Sequence, residues 1–370
     1  MNDRVLIGST CAMMALGLGG TLMVMAGVLP TPSLAAPRAD ATVFANHFVG
    51  KDQLLTAYQW IRLNALHTAP PSVIIGRRGW LYYRSEAAGD GGTISDFMGL
   101  YTPDLPTLEF WKQKLVDRRL ALESRNIRYL AFVAPNPSSV YPEYLPDEIL
   151  KARGRTRMDK IAAVMPNEVM DLRPVLLDAR ARENVFDRSD THWNDLGAFA
   201  AYSAISARLT NWFPDIAPLR RSDFITRPLP RTGEVENLIG PWVGRPHPSV
   251  YLDPLKPYSA HCAETDARVL VPGAMRDPDQ PRAGPNNWAP RNWIWTNGLC
   301  PSRRFVQKDP ALPKAVIFHD SFMIALNPFL SQNFREVLYV RGGFNATVVD
   351  REKPDVVIQA VAERYVDGMF

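Results

Sequence analysis

Apolar residues follow two alternating periods along the chain, and this alternation predicts the fold. Several short runs are almost continuously apolar, which is typical of strands that are buried on both faces. These runs are IRYLAFVA (127–134), KAVIFH (314–319), EVLYV (336–340) and DVVIQA (355–360). Between them, apolar positions recur with a helical period, as in the segment from Leu105 to SRN at 124–126. Alternating strands and helices predict an α/β fold with a mainly parallel sheet and helices on both faces.

The same patterns predict further elements. Strands are expected in SVIIGRRGWLYY (72–83, two strands around a turn), EVMDL (168–172) and NVFD (184–187). Helices are expected at 43–67, 155–165, 174–182, NDLGAFAAYSAISARL (194–209) and DSFMIALNPFLSQNF (320–334). Asn194 or Asp195 is the expected N-cap of the helix that starts at 194, because both side chains can accept backbone N–H groups.

One segment interrupts the alternation. Residues 225–312 are rich in Pro, Gly, Trp and Asn, which predicts a long irregular insertion. This segment holds Cys262 and Cys300, whereas Cys11 lies in the apolar N-terminal run. An even pair of cysteines in an oxidising compartment favours a disulfide between Cys262 and Cys300.

The N-terminus predicts export. Residues Val5 to Leu29 carry no charge, and this run is long enough to span a bilayer. Arg4 on its short side predicts a cytoplasmic start, so residues 1–36 are expected to be a signal-anchor and transmembrane segment in the bacterial inner membrane. Residues 37–370 would then form the exported domain in the periplasm. The alternative is a signal peptide cleaved after SLA, which leaves a soluble periplasmic protein.

Charge and spacing exclude two classes of protein. The net charge is only +4 and no Lys/Arg run is dense, so nucleic acid is not an expected partner. Histidine and cysteine spacings do not resemble a zinc site, and no metal is expected.

Candidate chemistry lies where the predicted strands end, because the carboxyl ends of parallel strands share one edge of a sheet. Three loops meet this condition: FVAPNPSSVYP (132–142), FDRSDTHW (186–193) and FHDSF (318–322). Ser321 at a strand-to-helix turn is either a nucleophile beside a backbone oxyanion donor or an ordinary helix cap, with Asp320 as a competing cap. Asp190 and His192 are two residues apart and would face the same side of an extended segment.

Ser321 needs a general base, and the sequence offers six histidines. Only His192 has both an acidic neighbour and a position after a predicted strand. The residues therefore predict a triad of Ser321, His192 and Asp190. Arg341 and Asn345 follow another strand end and could reach the same site.

Six segments resemble the alginate O-acetyltransferase family, typified by AlgJ and AlgX. In chain order they are GRRGWLYY (76–83), APNPSSVYPEYLP (134–146), SDTHWNDLGA (189–198), RTGEVENLIG (231–240), FHDSF (318–322) and PDVVIQAVAERY (354–365). The resemblance implies an SGNH-hydrolase-like, three-layer α/β/α domain. It also implies a periplasmic acyltransferase that O-acetylates a polysaccharide through an acetyl-serine.

The resemblance assigns the family's DxH pair to Asp190 and His192 and its nucleophile to Ser321. It departs from the usual pattern at His319, where a glycine is common, and at Pro137, where a lysine is expected.

Two further residues are implied as oxyanion or sugar contacts. They are Asn136 and Tyr141, whose alternative roles are a turn asparagine and a packed tyrosine. Trp80 is expected in the core rather than as a sugar platform.

The resemblance also bears on cofactors and partners. No bound cofactor is expected, since the acetyl group would come from a donor or a membrane partner, namely a multi-pass membrane acyltransferase. The expected substrate is an exopolysaccharide of uronic-acid or glucan type. No extra C-terminal carbohydrate-binding module of the kind found in AlgX-like members is expected, because the sequence leaves no room for one. In this respect the chain is closer to AlgJ. Two alternatives stay open: a periplasmic carbohydrate acetyl esterase with the same triad, and a non-catalytic scaffold of a secretion complex.

Overall fold

The computed structural model describes residues 69–85, 92–101, 103–231, 233–239, 247–263 and 303–370. The predicted N-terminal anchor, the helix predicted at 43–67 and Cys300 lie outside these residues. Within them, no helix is both long and apolar enough to cross a membrane. Nearly everything described below belongs to one compact unit, Ile74–Val235 with Pro246–Phe370. Residues 69–73 and 236–239 belong to a second unit.

The strands of the described residues form three sheets. Their bounds are β1 Val73–Ile75, β2 Leu81–Tyr83, β3 Arg128–Ala134, β4 Met170–Asp171, β5 Phe224–Arg231, β6 His247–Pro254, β7 His261–Cys262, β8 Arg304–Val306, β9 Lys314–His319, β10 Glu336–Arg341 and β11 Val356–Ala362. The largest sheet has the order β4-β3-β11-β9-β10-β8-β7. Its strands from β4 to β10 are parallel, and β8 and β7 extend it antiparallel. The predicted mainly parallel sheet is therefore a mixed sheet.

Helices connect these strands. The α-helices are α1 Thr93–Phe97, α2 Leu105–Glu123, α3 Pro137–Val140, α4 Asp147–Lys151, α5 Arg157–Val164, α6 Arg173–Ala179, α7 Asp195–Thr210, α8 Glu234–Ile239, α9 Met323–Leu330 and α10 Ala346–Glu352. Short 3₁₀ helices cover Arg77–Gly79, Pro142–Tyr144, Arg221–Asp223, Ser331–Asn333 and Glu363–Met369. Asn194 caps α7 by accepting the N–H groups of Leu196 and Gly197, as predicted. Helix α10 lies in a segment for which no helix was predicted.

Alternate residues of the central strands enter two different apolar cores. In β3, Leu130 and Phe132 contact one core, while Tyr129 and Val133 contact the other. Side chains of a strand alternate between the two faces of its sheet, so both faces are covered. The first core is completed by α6, α7 and α9, and the second by α2, α5 and α10. This is the predicted three-layer α/β/α arrangement.

The strand predicted at 184–187 is wrong. Phe186 makes only an isolated antiparallel bridge to Trp193, and the segment does not join the main sheet. Val185 and Phe186 are apolar because they are buried in the first core. The N–H of Val185 donates to the Tyr141 hydroxyl at 3.0 Å, so a side chain replaces the missing strand partner.

The prediction of an irregular insertion at 225–312 is also wrong in part. Strands β5 and β6 pair antiparallel from Phe224↔Pro254 to Arg231↔His247. Proline is tolerated in β5 because a two-stranded sheet leaves half of its backbone N–H groups without a strand partner. Strands β7 and β8 pair with the main sheet's edge. Cys262 in β7 is disulfide-bonded, whereas its predicted partner Cys300 lies outside the described residues.

Candidate active site

Ser321 lies in the turn between β9 and α9. The Asp320 carboxylate accepts the N–H of Phe322 at 2.9 Å and the N–H of Ala362 at 2.5 Å. Asp320 therefore supplies the local capping interaction and ties this turn to the end of β11. Of the two predicted caps, Asp320 therefore makes this interaction, and the Ser321 hydroxyl bonds to another partner.

That partner is His192. The Nε2 atom of His192 lies 2.8 Å from Ser321 Oγ, and its Nδ1 atom lies 3.0 Å from Asp190 Oδ1. The same Asp190 oxygen accepts the backbone N–H of His192 at 2.9 Å, which fixes the imidazole-bearing residue to the carboxylate twice. Asp190 is 2% exposed. The structure thus brings the three predicted triad residues into one continuous hydrogen-bonded chain.

Trp193 joins the loop that carries His192 to the segment that carries Ser321. Its indole N–H donates to the Phe322 carbonyl at 3.0 Å, and the two rings meet edge to face at 5.5 Å. The His192 ring also contacts the Phe322 ring, with centroids 4.8 Å apart. Neighbours of both catalytic candidates therefore fix the distance between them.

His192 has a raised pKa. Burial by itself lowers the pKa of this imidazole, but hydrogen bonds to Asp190 and Glu234 outweigh that effect and raise it to about 8. The side chain is 20% exposed, so solvent still reaches it. Negative charge at Nδ1 stabilises the imidazolium that forms when Nε2 takes up a proton.

His319 shows the opposite behaviour. It is buried against Tyr339, its Nδ1 lies 2.7 Å from the Asp320 carbonyl, and its Nε2 has no partner. Burial lowers its pKa to about 4, so the ring is neutral at pH 7. This residue occupies the position at which the resemblance expects glycine.

Asn136, predicted as an oxyanion or sugar contact, is held by two neighbouring buried residues. The Glu363 carboxylate accepts the Asn136 N–H at 2.8 Å, and burial raises the pKa of Glu363 to about 7. Arg364 donates to Asn136 Oδ1 and to Thr191 Oγ1, both at 3.4 Å, with its guanidinium 5.0 Å from the Phe322 ring centroid. A guanidinium only donates, so the amide oxygen faces Arg364. The Asn136 NH₂ group makes no hydrogen bond within the described residues.

The remaining predicted residues are placed differently. Tyr141 is buried, its ring contacts that of Trp80 in a tilted arrangement with centroids 4.5 Å apart, and its hydroxyl accepts the Val185 N–H. Its side chain therefore contributes to packing, as does that of Trp80. Asn345 caps α10 through Val348 N. Arg341 ends β10 and pairs in register with His319, which places it at the same sheet edge as Ser321.

One cluster in the described part of the chain has the spacing of a metal site. The side chains of Asp190, His192 and Glu234 place their polar atoms within 4.8 Å of one another. Each of these groups also takes part in the hydrogen bonds around the His192 ring. The expected absence of a metal stays a prediction.

A family model identifies the chain. The model of the SGNH hydrolase-like domain of acetyltransferase AlgX matches residues 73–269, more than half of the sequence. The chain belongs to this AlgX family.

Three solved structures are similar to this AlgX-family chain, and only the first of them has a TM-score above 0.5. PatB1 of Bacillus cereus has 13% identity and a TM-score of 0.51, with 79% of this chain and 95% of that chain covered. The O-acetyltransferase domain of Pseudomonas putida AlgJ has 17% identity and a TM-score of 0.44, with 80% and 92% covered. Pseudomonas aeruginosa AlgX has 14% identity and a TM-score of 0.44, with 78% and 61% covered. No curated protein sequence shows a significant match.

Sequence reasoning missed four polar residues of this AlgX-family site: Thr191, Glu234, Glu363 and Arg364. Glu363 and Arg364 directly follow the buried strand β11, so the strand-end rule that selected Ser321 would also have selected them. Glu234 lies in the RTGEVENLIG segment, which offered only its resemblance as a signal.

Proposed function

We propose that this protein is an O-acetyltransferase that transfers acetyl groups to hydroxyls of an exported polysaccharide. The observation that carries the proposal is the continuous chain from Ser321 Oγ through the His192 ring to Asp190, with distances of 2.8 Å and 3.0 Å. This geometry suits nucleophilic catalysis by serine. Membership of the AlgX acetyltransferase family supports the acetyl group as the group that is transferred.

Acylation uses His192 as the general base. Ser321 Oγ attacks the carbonyl carbon of an acetyl ester while its proton moves to His192 Nε2. The tetrahedral intermediate then collapses. Its bond to the donor oxygen breaks, and that oxygen leaves with the proton from Nε2. The product of this half-reaction is acetyl-Ser321.

The negative oxygen of the intermediate needs donors. The backbone N–H of Ser321 and the unpaired NH₂ group of Asn136 are the groups proposed for this role. In the second half-reaction His192 removes the proton of a sugar hydroxyl, whose oxygen attacks the acetyl carbon. Ser321 Oγ then leaves and recovers its proton from Nε2.

The proposal includes a location and a partner. The uncharged run from Val5 to Leu29 supports an anchor in the inner membrane, with the catalytic unit in the periplasm. Acetyl-CoA is a cytoplasmic donor, so acetyl groups would reach this protein through a multi-pass membrane acyltransferase. The acceptor would be an exopolysaccharide of uronic-acid or glucan type.

The test compares full-length protein with its Ser321→Ala variant. Release of acetyl groups from a chromogenic acetate ester is measured alone, with uronate oligosaccharides and with glucan oligosaccharides. We expect a wild-type rate that one sugar class accelerates, with acetylated sugar detected by mass spectrometry, and no activity in the variant.

Three outcomes would oppose the proposal. Equal rates for wild type and Ser321→Ala would rule out this nucleophile and leave a scaffold role. Wild-type hydrolysis that neither sugar accelerates, with no acetylated sugar, would indicate an esterase. A mass increase of one acetyl group on a residue other than Ser321 would place the chemistry elsewhere.

A further inference from the structure

Glu234 lies beside His192 because the backbone of its segment approaches the His192 loop unusually closely. The preceding residue, Gly233, lies so near the Ser189 carbonyl that a Cβ atom there would overlap it. The Val235 N–H donates to the same carbonyl at 2.9 Å, and the Glu234 N–H donates to Asp190 Oδ2 at 3.3 Å. Only glycine permits this contact, because any side chain would push the segment away from the loop that carries His192.

The Glu234 side chain faces the same imidazole nitrogen as Asp190. Its Oε2 lies 3.3 Å from His192 Nδ1 and accepts the Thr191 hydroxyl at 2.6 Å. Asp190 Oδ1 lies 3.0 Å from Nδ1. Two carboxylates therefore flank a single Nδ1–H group. The Asp190 carboxylate is buried and the Glu234 side chain is 55% exposed.

We propose that Glu234 is a positioning residue of the base, a second carboxylate that shares the Nδ1 proton with Asp190 and sets the pH range in which His192 is neutral. The inference rests on the proposed role of His192 as the base for Ser321. Throughout the reaction the Nδ1 proton stays on His192, while Nε2 gains and returns the proton of Ser321 Oγ.

The charged surroundings favour this role. Among the described residues, the other titratable or charged groups near the site are Arg364, Asp320 and His319. Arg364 donates to Asn136 Oδ1 and to the Thr191 hydroxyl, and Asp320 accepts two backbone N–H groups. His319 is uncharged near neutral pH because burial lowers its pKa. The pKa of Glu234 is itself lowered, chiefly by its hydrogen bond to His192, as expected for mutual stabilisation of an ion pair.

The experiment follows the modification of Ser321 by phenylmethylsulfonyl fluoride as a function of pH. This reaction needs the serine and its base but no sugar acceptor. Full-length wild type, Glu234→Gln, Glu234→Asp and Glu148→Gln are compared in the presence of EDTA, which removes any cation from the acidic cluster. Glu148 is an exposed glutamate in the first turn of α4, so Glu148→Gln is the matched control.

We expect the wild-type modification rate to rise with pH around a midpoint near 8. Glu234→Gln should move that midpoint down by roughly half to one pH unit, because one negative charge at Nδ1 is lost. Glu234→Asp keeps the charge and should retain most of the wild-type midpoint, and Glu148→Gln should match wild type.

The outcomes separate two failures. A Glu234→Gln variant that reacts more slowly at every pH with an unchanged midpoint would show a merely structural residue and overturn the inference. If Glu234→Gln reacts too slowly to measure, an NMR titration of the His192 imidazole gives the same midpoint. Absence of wild-type modification at Ser321 would instead contradict the proposed triad.

Discussion

The nucleophile segment, Lys314–Leu330, and the base loop, residues 185–194, meet at a hydrogen bond of 2.8 Å but are built differently. The nucleophile segment is a buried parallel strand followed by a turn and a helix, and the sheet's backbone hydrogen bonds hold it. The base loop joins no sheet. Isolated backbone hydrogen bonds, such as that from the Val235 N–H to the Ser189 carbonyl, and buried side chains hold it together. The side-chain bonds include Asn194 Nδ2 to the Asn184 carbonyl and the His192 N–H to the Asp190 carboxylate.

The two regions should therefore differ in how strongly a single side-chain substitution disturbs the backbone around it. Backbone hydrogen bonds survive most side-chain changes, so the position of Ser321 should tolerate substitutions around it. A buried side chain that holds a loop has no substitute, and its loss leaves backbone groups without partners. Substitutions in the base loop should therefore reduce activity more than comparable substitutions in the nucleophile segment.

The largest expected effect comes from Asp190→Asn. An amide in place of the carboxylate can present an N–H group to Nδ1, which favours the wrong tautomer of His192. We expect kcat for acetate-ester hydrolysis to fall by about 10⁴-fold, as it does for the equivalent change in serine proteases. Thermal melting should show that the protein remains folded.

Asp178→Asn is the control for this change, because Asp178 is an exposed aspartate of α6 that pairs with Arg182. It should leave both kcat and the melting temperature close to wild type. A loss of less than about tenfold in Asp190→Asn would mean that the carboxylate does not orient the base.

Trp193→Phe tests the bond between the two regions. The variant keeps an aromatic ring but loses the indole N–H that meets the Phe322 carbonyl. We expect a loss of about 1 to 3 kcal/mol in the free energy of unfolding, from the unpaired carbonyl and the smaller ring. Loosened alignment of His192 and Ser321 should also lower kcat by about tenfold.

Trp212→Phe is the matched control, since Trp212 lies after α7 and contacts Arg128 and Arg208 rather than the site. Chemical denaturation and ester hydrolysis of both variants separate stability from alignment. Equal kcat values for Trp193→Phe and Trp212→Phe would show that the indole N–H does not hold the two regions in register.

The same contrast explains what the sequence could predict. The nucleophile segment has a local signature, since an apolar run followed by HDSF specifies a strand, a turn and a helix. The pairing of Asp190 with His192 was also predictable, because their proximity follows from local sequence spacing and does not depend on tertiary contacts. The strand predicted at 184–187 was wrong because Val185 and Phe186 are apolar for a reason other than sheet pairing.

Glu234 and Arg364 could not be predicted as site residues from periodicity. Their positions depend on contacts across 44 and 173 residues of chain, through Asp190 and Thr191 respectively. Such contacts are fixed by tertiary packing rather than by local spacing. For Tyr141 the sequence left a substrate contact and a packed tyrosine open, and the hydrogen bond from the Val185 N–H to its hydroxyl agrees with the packed tyrosine.

His319 offers a pH test of the nucleophile segment. Its folded pKa is about 4 against a usual 6.5, so between these values the unfolded chain binds a proton that the folded chain does not. Stability should therefore fall as the pH drops through this window, by roughly 2 kcal/mol between pH 7 and pH 5. Denaturant titrations at both pH values measure this loss.

His319→Phe keeps a ring against Tyr339 but cannot titrate, so its loss of stability over the same pH interval should be smaller by about that amount. The comparison uses the difference between the two pH values and is insensitive to the variant's overall stability. If wild type and His319→Phe lost the same stability between pH 7 and pH 5, His319 would have to take up a proton in the folded state.

The smallest expected effect concerns Arg341, at the end of β10. Its register with His319 places its cation at the sheet edge that carries Ser321, and that placement follows from regular strand pairing. If the acceptor is a uronate, Arg341→Ala should raise KM for uronate oligosaccharides by about fivefold at low salt and leave kcat unchanged. Neutral glucan oligosaccharides should show no change.

Arg351→Ala is the matched control for Arg341→Ala. Arg351 lies in the last turn of α10, at the opposite edge of the sheet, because α10 connects the end of β10 to the start of β11. A fivefold effect that persists in high salt would argue against a charge interaction. If both variants raised KM equally, the overall charge of the protein would attract the uronate, and Arg341 would have no specific role. The sheet edge at the end of β9 and β10 would then contribute only Ser321 to the site.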